Sequence, residues 1–173
     1  YDDDGNYIVT LKDGYTWSDG TPIVAEDLVT TFNTGYLINW SVWQNLDSVE
    51  VVDELTAKFH IRDGSPLVER RILVENLRPT SVYGEFGERA GELIAEGVGS
   101  SEDAFTELLN ELTEFRPAEF VSGGPYLLLA ENISDARVTL VRNVGGYAAD
   151  VVRFDEVLLW NGETEAVTPL VSG

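Results

Sequence analysis

A single histidine limits the chemistry that this chain can perform. His60 is the only histidine, and the 173 residues contain no cysteine. A Ser-His-Asp arrangement would have to use His60, and the lack of cysteine excludes a thiol nucleophile, a disulfide and a thiolate metal site. His60 follows Lys58 in a segment of alternating polarity, so we predict a solvent-facing strand residue rather than a catalytic base.

Carboxylates are the most abundant reactive groups. The chain has 31 Asp and Glu against 11 Lys and Arg, a formal net charge of -20. A glycosidase needs two acids on opposite sides of one bond, and no local spacing singles out such a pair. We therefore predict a solvated acidic surface and no enzymatic activity. The same charge disfavours nucleic acid and anionic membranes, since both are bound by basic protein faces.

A cluster of acidic residues at the start of the chain has part of the pattern of a calcium loop. Asp2-Asp3-Asp4-Gly5-Asn6 offers oxygen ligands and a glycine turn. The bidentate Glu of such a loop is missing, because the twelfth position counted from Asp2 is Asp13. We predict a hairpin turn here, with no metal site and no cofactor.

Two groups of residues are candidates for ligand contact. Gly123-Gly124-Pro125-Tyr126 lacks the Lys and Ser/Thr of a phosphate loop, so it is either a strand-entry turn or a close approach of backbone to a ligand. Aromatic residues cluster after the first predicted helix, where they either wall a pocket or pack the segment onto the core. The candidate ligand-binding residues are Tyr36, Trp40, Trp43, Gly124 and Tyr126.

The elements that position these residues alternate irregularly between strands and helices. A helix is predicted from Ala25 and is expected to loosen or end at Gly35. The 66–77 segment fits a helix or a buried extended segment equally well. A helix from Pro79 is expected to stop at Gly97, and Ser100 or Ser101 is expected to cap the next one. The predicted strands are 7–11, 49–53, 56–62, 126–129, 137–142 and 154–160, and a last helix is predicted to open in 164–172. This order predicts an α/β fold with a mixed β-sheet and flanking helices.

Several of these stretches together resemble the family 5 extracellular solute-binding proteins, the peptide, dipeptide and nickel-type receptors of ABC importers. The most specific is Trp17-Ser-Asp-Gly-Thr-Pro22 followed by Ala25-Glu-Asp-Leu-Val29. Further similar stretches follow in the family's order: Tyr7–Gly14, Ser48–Asp53, Thr56–Phe59, Phe120–Tyr126, Val138–Asn143 with Tyr147, and Phe154–Val157. The resemblance is patchy from Leu67 to Arg116, and Ala148 stands where the family usually has Trp.

The resemblance implies a fold and a function. The fold is a partial lobe of a type II periplasmic-binding-protein fold, and residues 1–173 are one fragment of a longer bacterial receptor. Residues 1–120 would form the first lobe's peripheral subdomain, with a helical insertion near 67–116, and residues 121–173 part of its central sheet. Such receptors hold the ligand between two lobes, so one lobe alone should bind weakly.

The implied role is the solute-binding component of an ABC transporter that captures oligopeptides or dipeptides. Its partners would be a small solute or short peptide and the importer's membrane permease subunits. It would lie outside the cytoplasm, in the periplasm or anchored by lipid at the cell surface. The alternatives are a family member that binds an oligosaccharide or a nickel chelate, and a carboxylate-based hydrolase.

Overall fold

The computed structural model describes residues 1–64 and 67–161, which form an α/β fold of two compact units. Unit 1 consists of Tyr1–Gly14 and Ile23–Arg116, and unit 2 consists of Tyr15–Pro22 and the chain from Pro117 onward. In unit 1 the elements are β1 (Tyr7–Thr10), α1 (Ala25–Leu37), a 3₁₀ helix (Ser41–Gln44), β2 (Leu46–Val51), β3 (Thr56–Ile61), α2 (Val68–Leu73), α3 (Thr80–Glu96) and α4 (Asp103–Glu114). Unit 2 contains β4 (Tyr126–Ile133), β5 (Arg137–Arg142) and β6 (Glu156–Trp160).

Unit 1 is built on an antiparallel sheet with the strand order β1-β3-β2. The predicted alternation along β3 is confirmed, because Ala57 and Phe59 are fully buried while Lys58 and His60 lie on the other face, half-exposed. Side chains at alternate positions point to opposite faces of a strand. The sheet therefore gives one face to the hydrophobic core and keeps its only histidine outside that core.

Helix α1 covers the buried face of this sheet. Its apolar stripe places Leu28 and Phe32 in the core, with Phe32 edge-to-face against Phe59 at a ring separation of 4.8 Å. Asp27 begins the helix in an unusual way, because its buried carboxylate accepts the N–H of Val24 at 2.9 Å and that of Thr80 at 2.7 Å. One carboxylate thus satisfies backbone donors at the starts of both α1 and α3.

The expectation that Gly35 loosens or ends helix α1 is wrong, since the helix runs on to Leu37. Gly35 serves the packing of the following segment instead. A Cβ atom at this position would lie 2.3 Å from the Trp40 ring. The glycine therefore allows the indole to lie directly on the helix backbone.

Helices α3 and α4 complete unit 1. Gly97 ends α3 in the left-handed conformation at φ 72°, as predicted. The predicted cap of α4 is wrong: Ser100 and Ser101 lie in the preceding turn and the N-cap is Glu102. The Glu102 carboxylate accepts the N–H of Gly99 at 3.0 Å and so closes the turn that contains the two serines. The helix therefore begins after Glu102. A second apolar cluster joins α1, α3 and α4 through Leu37, Ala90, Phe105 and Leu108.

The ambiguous 66–77 segment contains a short helix, α2, which buries Val68 and Ile72 in the core. Unit 2 contains an antiparallel sheet with the strand order β4-β5-β6. The α/β class is confirmed, but the described strands form two antiparallel sheets where a mixed sheet was expected. The helix predicted in 164–172 lies outside the described residues. Within the described ranges, no helix is long and apolar enough to cross a membrane.

Candidate functional site

The structure places two of the three candidate aromatic residues of unit 1 in packing positions with satisfied polar atoms. Trp43 is 8% exposed, and its indole N–H donates to the carbonyl of Phe32 at 2.9 Å. The Tyr36 hydroxyl donates to the carbonyl of Val98 at 2.9 Å, and its ring contacts Trp43 edge-to-face. These contacts attach the segment after α1 to the rest of unit 1. Tyr36 and Trp43 therefore pack this segment onto the core, which is one of the two roles considered for the aromatic cluster. Ligand contact by Tyr36 and Trp43 stays a prediction.

Trp40 differs from the other two because its half-buried ring carries a cation. The ring packs edge-to-face on Phe32, and the guanidinium carbon of Arg78 lies 5.0 Å from its centroid. Arg78 also donates from Nη1 to the hydroxyl of Thr34 at 2.5 Å. Burial is the main influence on the guanidinium and lowers the pKa of Arg78, although the nearby Tyr83 and Glu75 raise it.

Sequence reasoning missed Arg78. A signal was present, because Arg78 is a lone cation directly before Pro79 at the start of a predicted helix. No spacing rule connects it to Trp40, which lies 38 positions earlier, so only the packing of α1 against α3 brings the two together.

Gly124 and Tyr126 lie in unit 2, where a buried asparagine holds the strand entry. Asn143 is 5% exposed, and its Nδ2 donates to the carbonyl of Gly124 at 2.9 Å while its backbone N–H donates to that of Pro125 at 2.9 Å. Its Oδ1 accepts the N–H of Gly145 at 3.3 Å. One side chain therefore joins the Gly-Gly-Pro-Tyr turn to the segment after β5.

The hydrogen bonds of Asn143 and the pairing of β4 with β5 give Gly124 and Tyr126 a defined structural role. Tyr126 pairs with Arg142 at the beginning of the β4–β5 ladder, and the carbonyl of Gly124 is held by Asn143. Ligand contact by Gly124 and Tyr126 stays a prediction. Sequence reasoning missed Asn143, although it ends the Val138–Asn143 stretch that was singled out for the family resemblance.

The Trp-Ser-Asp-Gly-Thr-Pro corner packs on the same strand entry. Ser18 and Ser122 exchange hydrogen bonds at 3.0 Å, the N–H of Ser18 donating to the Ser122 carbonyl and the N–H of Ser122 to the Ser18 hydroxyl. The Ser122 hydroxyl in turn accepts the N–H of Gly124 at 3.1 Å. The corner is thus a structural support of unit 2.

An open cleft of about 470 Å³ lies in unit 2 beside this corner. Its walls combine apolar side chains of β4 with carboxylates, and it is lined by Ser18, Asp19, Ala118, Glu119, Phe120, Val121 and Leu127–Glu131. The volume suits a small ligand. The polar side chains that line the cleft are exposed, so they do not indicate which ligand would bind.

The residues considered from the sequence for metal binding and catalysis have other partners in the structure. In the ranges 1–64 and 67–161, no group of three metal-ligating side chains comes together. Asp2 instead closes its own turn by accepting the N–H groups of Asp4 and Asn6. His60 Nε2 lies 3.0 Å from the Glu50 carboxylate on the outer face of the sheet, where Glu50 also pairs with Lys58.

The carboxyl groups with shifted pKa values do not have the property that acid catalysis requires. A general acid at neutral pH needs a raised pKa. Hydrogen bonds lower the pKa of Glu50, mainly through Lys58, and lower that of Glu111 through Arg89. The pKa values of Asp2 and Asp53 are also lowered, by Asn6 and by the N–H of Leu55.

Comparison with protein families supplies the identification. Residues 1–170 match the profile of the bacterial extracellular solute-binding proteins, family 5, middle region. The chain belongs to this family. The family comprises binding proteins rather than enzymes, and its members are extracellular or periplasmic. No curated protein sequence matches the chain.

Solved structures of binding proteins from other bacteria share the fold. CtaP, an ABC transporter substrate-binding protein of Listeria monocytogenes, is 24% identical, with a TM-score of 0.65 and 99% of this chain covered. A periplasmic oligopeptide-binding protein of Thermotoga maritima is 22% identical, with a TM-score of 0.63 and 93% coverage. NikZ of Campylobacter jejuni, solved with Ni(L-His), is 17% identical, with a TM-score of 0.59 and 92% coverage.

These receptors are much longer than the chain. It spans 32% of the Listeria protein, 27% of the Thermotoga protein and 28% of NikZ. The likeness therefore establishes a partial lobe of a periplasmic-binding-protein fold, as the sequence predicted.

Proposed function

We propose that this family 5 chain is part of the solute-binding component of an ABC importer that captures oligopeptides or dipeptides. The observation that carries the proposal is the family match over residues 1–170. The likeness to the periplasmic oligopeptide-binding protein of Thermotoga maritima supports the choice of peptides. The importer's membrane permease subunits would receive the loaded receptor outside the cytoplasm, in the periplasm or at the cell surface.

In this proposal the chain supplies one side of the ligand site. Residues 1–120 would be the peripheral subdomain of the first lobe, with a helical insertion near 67–116, and residues 121–173 would belong to the central sheet. A ligand held between lobes is buried from water on closure. Because one lobe makes only part of the contacts, the isolated chain should bind far more weakly than the complete receptor.

A second candidate solute is an oligosaccharide or a nickel chelate. The Thermotoga protein has also been solved with mannohexaose bound, and NikZ has been solved with Ni(L-His). One family fold thus accompanies ligands of different chemistry, so the class of solute has to be measured on this receptor.

A thermal-shift screen of the complete receptor against separate peptide, oligosaccharide and metal-chelate libraries tests the proposal. A ligand that binds only the folded state stabilises it by about 2.7 kcal/mol at 100 times its Kd. We expect the peptide library to raise the melting temperature. The 173-residue chain, screened in parallel, should show a much smaller rise.

The contrary result is equally clear. A rise with sugars or chelates and none with peptides would replace the proposed solute but keep the binding function. Hydrolysis of a peptide or sugar in the same samples, followed by mass spectrometry, would favour the carboxylate-based hydrolase instead.

A further inference from the structure

Arg78 is held rigidly in unit 1 by contacts that use only part of its guanidinium group. Its guanidinium carbon lies 5.0 Å over the Trp40 ring, and Nη1 donates to the Thr34 hydroxyl at 2.5 Å and to the Thr31 carbonyl at 3.5 Å. Its backbone N–H also donates to the Thr31 hydroxyl at 2.7 Å. Stacking on an aromatic face and hydrogen bonding along one edge fix the plane of the group.

The rest of the guanidinium group keeps N–H donors that have no partner among the described residues. Nε and Nη2 make no hydrogen bond within the described part of the chain, and neither is among the buried atoms that lack a partner, so both reach solvent. Two neighbouring N–H donors in one plane match the two oxygens of a carboxylate.

Arg78 has no ion-pair partner in the part of the chain that the structure describes, although a charge in such a position normally requires one. A half-buried cation is costly unless it is paired. Among the described residues, Arg62 pairs with Asp47 and Arg89 with Glu111, but no carboxylate forms an ion pair with Arg78. This is unexpected in a chain with 31 acidic residues, although Glu75 lies near enough to raise the pKa of Arg78.

We propose that Arg78 and Trp40 form a binding site for a carboxylate group of the solute. Nε and Nη2 of Arg78 would bind the two carboxylate oxygens, and the exposed part of the indole would contact the carbon atoms next to them. The proposal rests on the proposed peptide-binding function. The strong negative charge of the chain disfavours polyanions, which is why a single carboxylate is the expected group.

The test uses the complete receptor and three probes that differ only in their carboxylates. They are tri-alanine with a free C-terminus, tri-alanine amide, and an acetylated Ala-Glu-Ala amide whose only carboxylate is in a side chain. Isothermal titration gives the Kd, and the indole N–H signal of Trp40 in a ¹⁵N-resolved NMR spectrum reports contact at the site.

We expect at least one carboxylate probe to bind better than tri-alanine amide and to move the Trp40 signal. The probe that does so identifies a C-terminal or a side-chain carboxylate as the source. Arg78→Gln should weaken that probe about tenfold or more and leave the amide unchanged, because a charge-assisted hydrogen bond is lost. Arg78→Lys keeps the charge but not the planar fork, and should fall between them.

Arg71→Gln is the matched control. Arg71 is a half-buried arginine of the same unit, but its Nη1 is engaged by the Ser41 carbonyl and the Asn45 side chain. This variant removes the same charge and should leave all three affinities unchanged. Circular dichroism checks that each variant is folded. If Arg78→Gln does not fold, the affinities of Arg78→Lys are used to test the proposal instead.

Failure of this inference is distinct from failure of the proposed function. Equal binding of acid and amide, or a preference for acid that survives Arg78→Gln, would overturn the carboxylate site and leave peptide binding intact. If no peptide binds, sodium acetate is titrated against sodium chloride. Acetate should then move the Trp40 signal in the wild type and not in Arg78→Gln, and no such difference would overturn the site.

Discussion

Different interactions stabilise the interior of each unit of this chain. Unit 1 has an apolar core in which Phe32, Leu46, Ala57 and Phe59 are fully buried. In unit 2, the buried hydrophobic residues among those described are Trp17 and Ala148. Unit 2 is organised instead by hydrogen bonds from one buried asparagine and by the serine pairing at its corner.

Strand β6 shows how incompletely the sheet of unit 2 is covered. Leu158 and Leu159 are neighbours and so point to opposite faces, yet they are 45% and 52% exposed. A sheet with apolar residues on both faces is typical of one that is covered on both sides. The comparison teaches that a fold can be recognisable in a region whose own residues bury little apolar surface.

The largest expected loss of stability comes from truncating a buried side chain of unit 1, compared with an exposed one of unit 2. Phe59→Ala should lower the free energy of unfolding of unit 1 by about 3–5 kcal/mol, because it removes a fully buried ring and leaves a cavity. Urea unfolding followed by circular dichroism measures the change. Leu159→Ala in unit 2 is the control and should cost within about 0.5 kcal/mol. An equal cost at both positions would show that unit 2 has a core of its own.

Asn143→Ala should give a smaller effect that is confined to unit 2. The carbonyl of Gly124 loses its donor and the N–H of Gly145 its acceptor, at a cost of about 1–3 kcal/mol. Amide hydrogen exchange should become faster at Leu127 and Val141 and stay unchanged at Phe59. Asn132→Ala is the matched control, since the Asn132 side chain makes no hydrogen bond in the described part of unit 2. Faster exchange at Phe59 as well would mean that the two units unfold together.

The smallest effect concerns the surface of unit 1 and depends on pH. Arg89 binds the carboxylate of Glu111 through two N–H groups and lowers its pKa from the ordinary 4.5. A lowered pKa stabilises the folded state above the ordinary value, and this contribution is lost as the pH falls through the lowered value. The stability difference between wild type and Glu111→Gln should therefore shrink as the pH falls below 4.5. A difference that stays constant with pH would exclude the ion pair as its cause.

Much of the local structure was predictable because its causes are local. The alternation that buries Phe59 and exposes Lys58, the left-handed Gly97 at the end of α3 and the turn at Asp2 follow from neighbouring residues. Gly35 was misjudged because the reason for a glycine there is the ring of Trp40, which sequence position alone does not place on the helix.

The candidate site was less predictable because its partners are distant in sequence. The residue types pointed to Trp40 and Gly124, but not to Arg78 over the indole or to Asn143 under the turn. Both partners are polar side chains whose role depends on which groups meet them after the helices and strands pack. The spacing of hydrophobic residues along the chain carries no information on these contacts.

The sequence by itself determined the family, the main helices and strands and the faces they bury, because hydrophobic spacing and turn residues act over a few positions. Only the tertiary structure decided that both described sheets are antiparallel, that Trp43 packs in the core, and that Arg78 lies on Trp40 with no ion-pair partner among residues 1–64 and 67–161. The physical reason is that burial and charge pairing are set by neighbours in space, and folding chooses those neighbours from the whole chain.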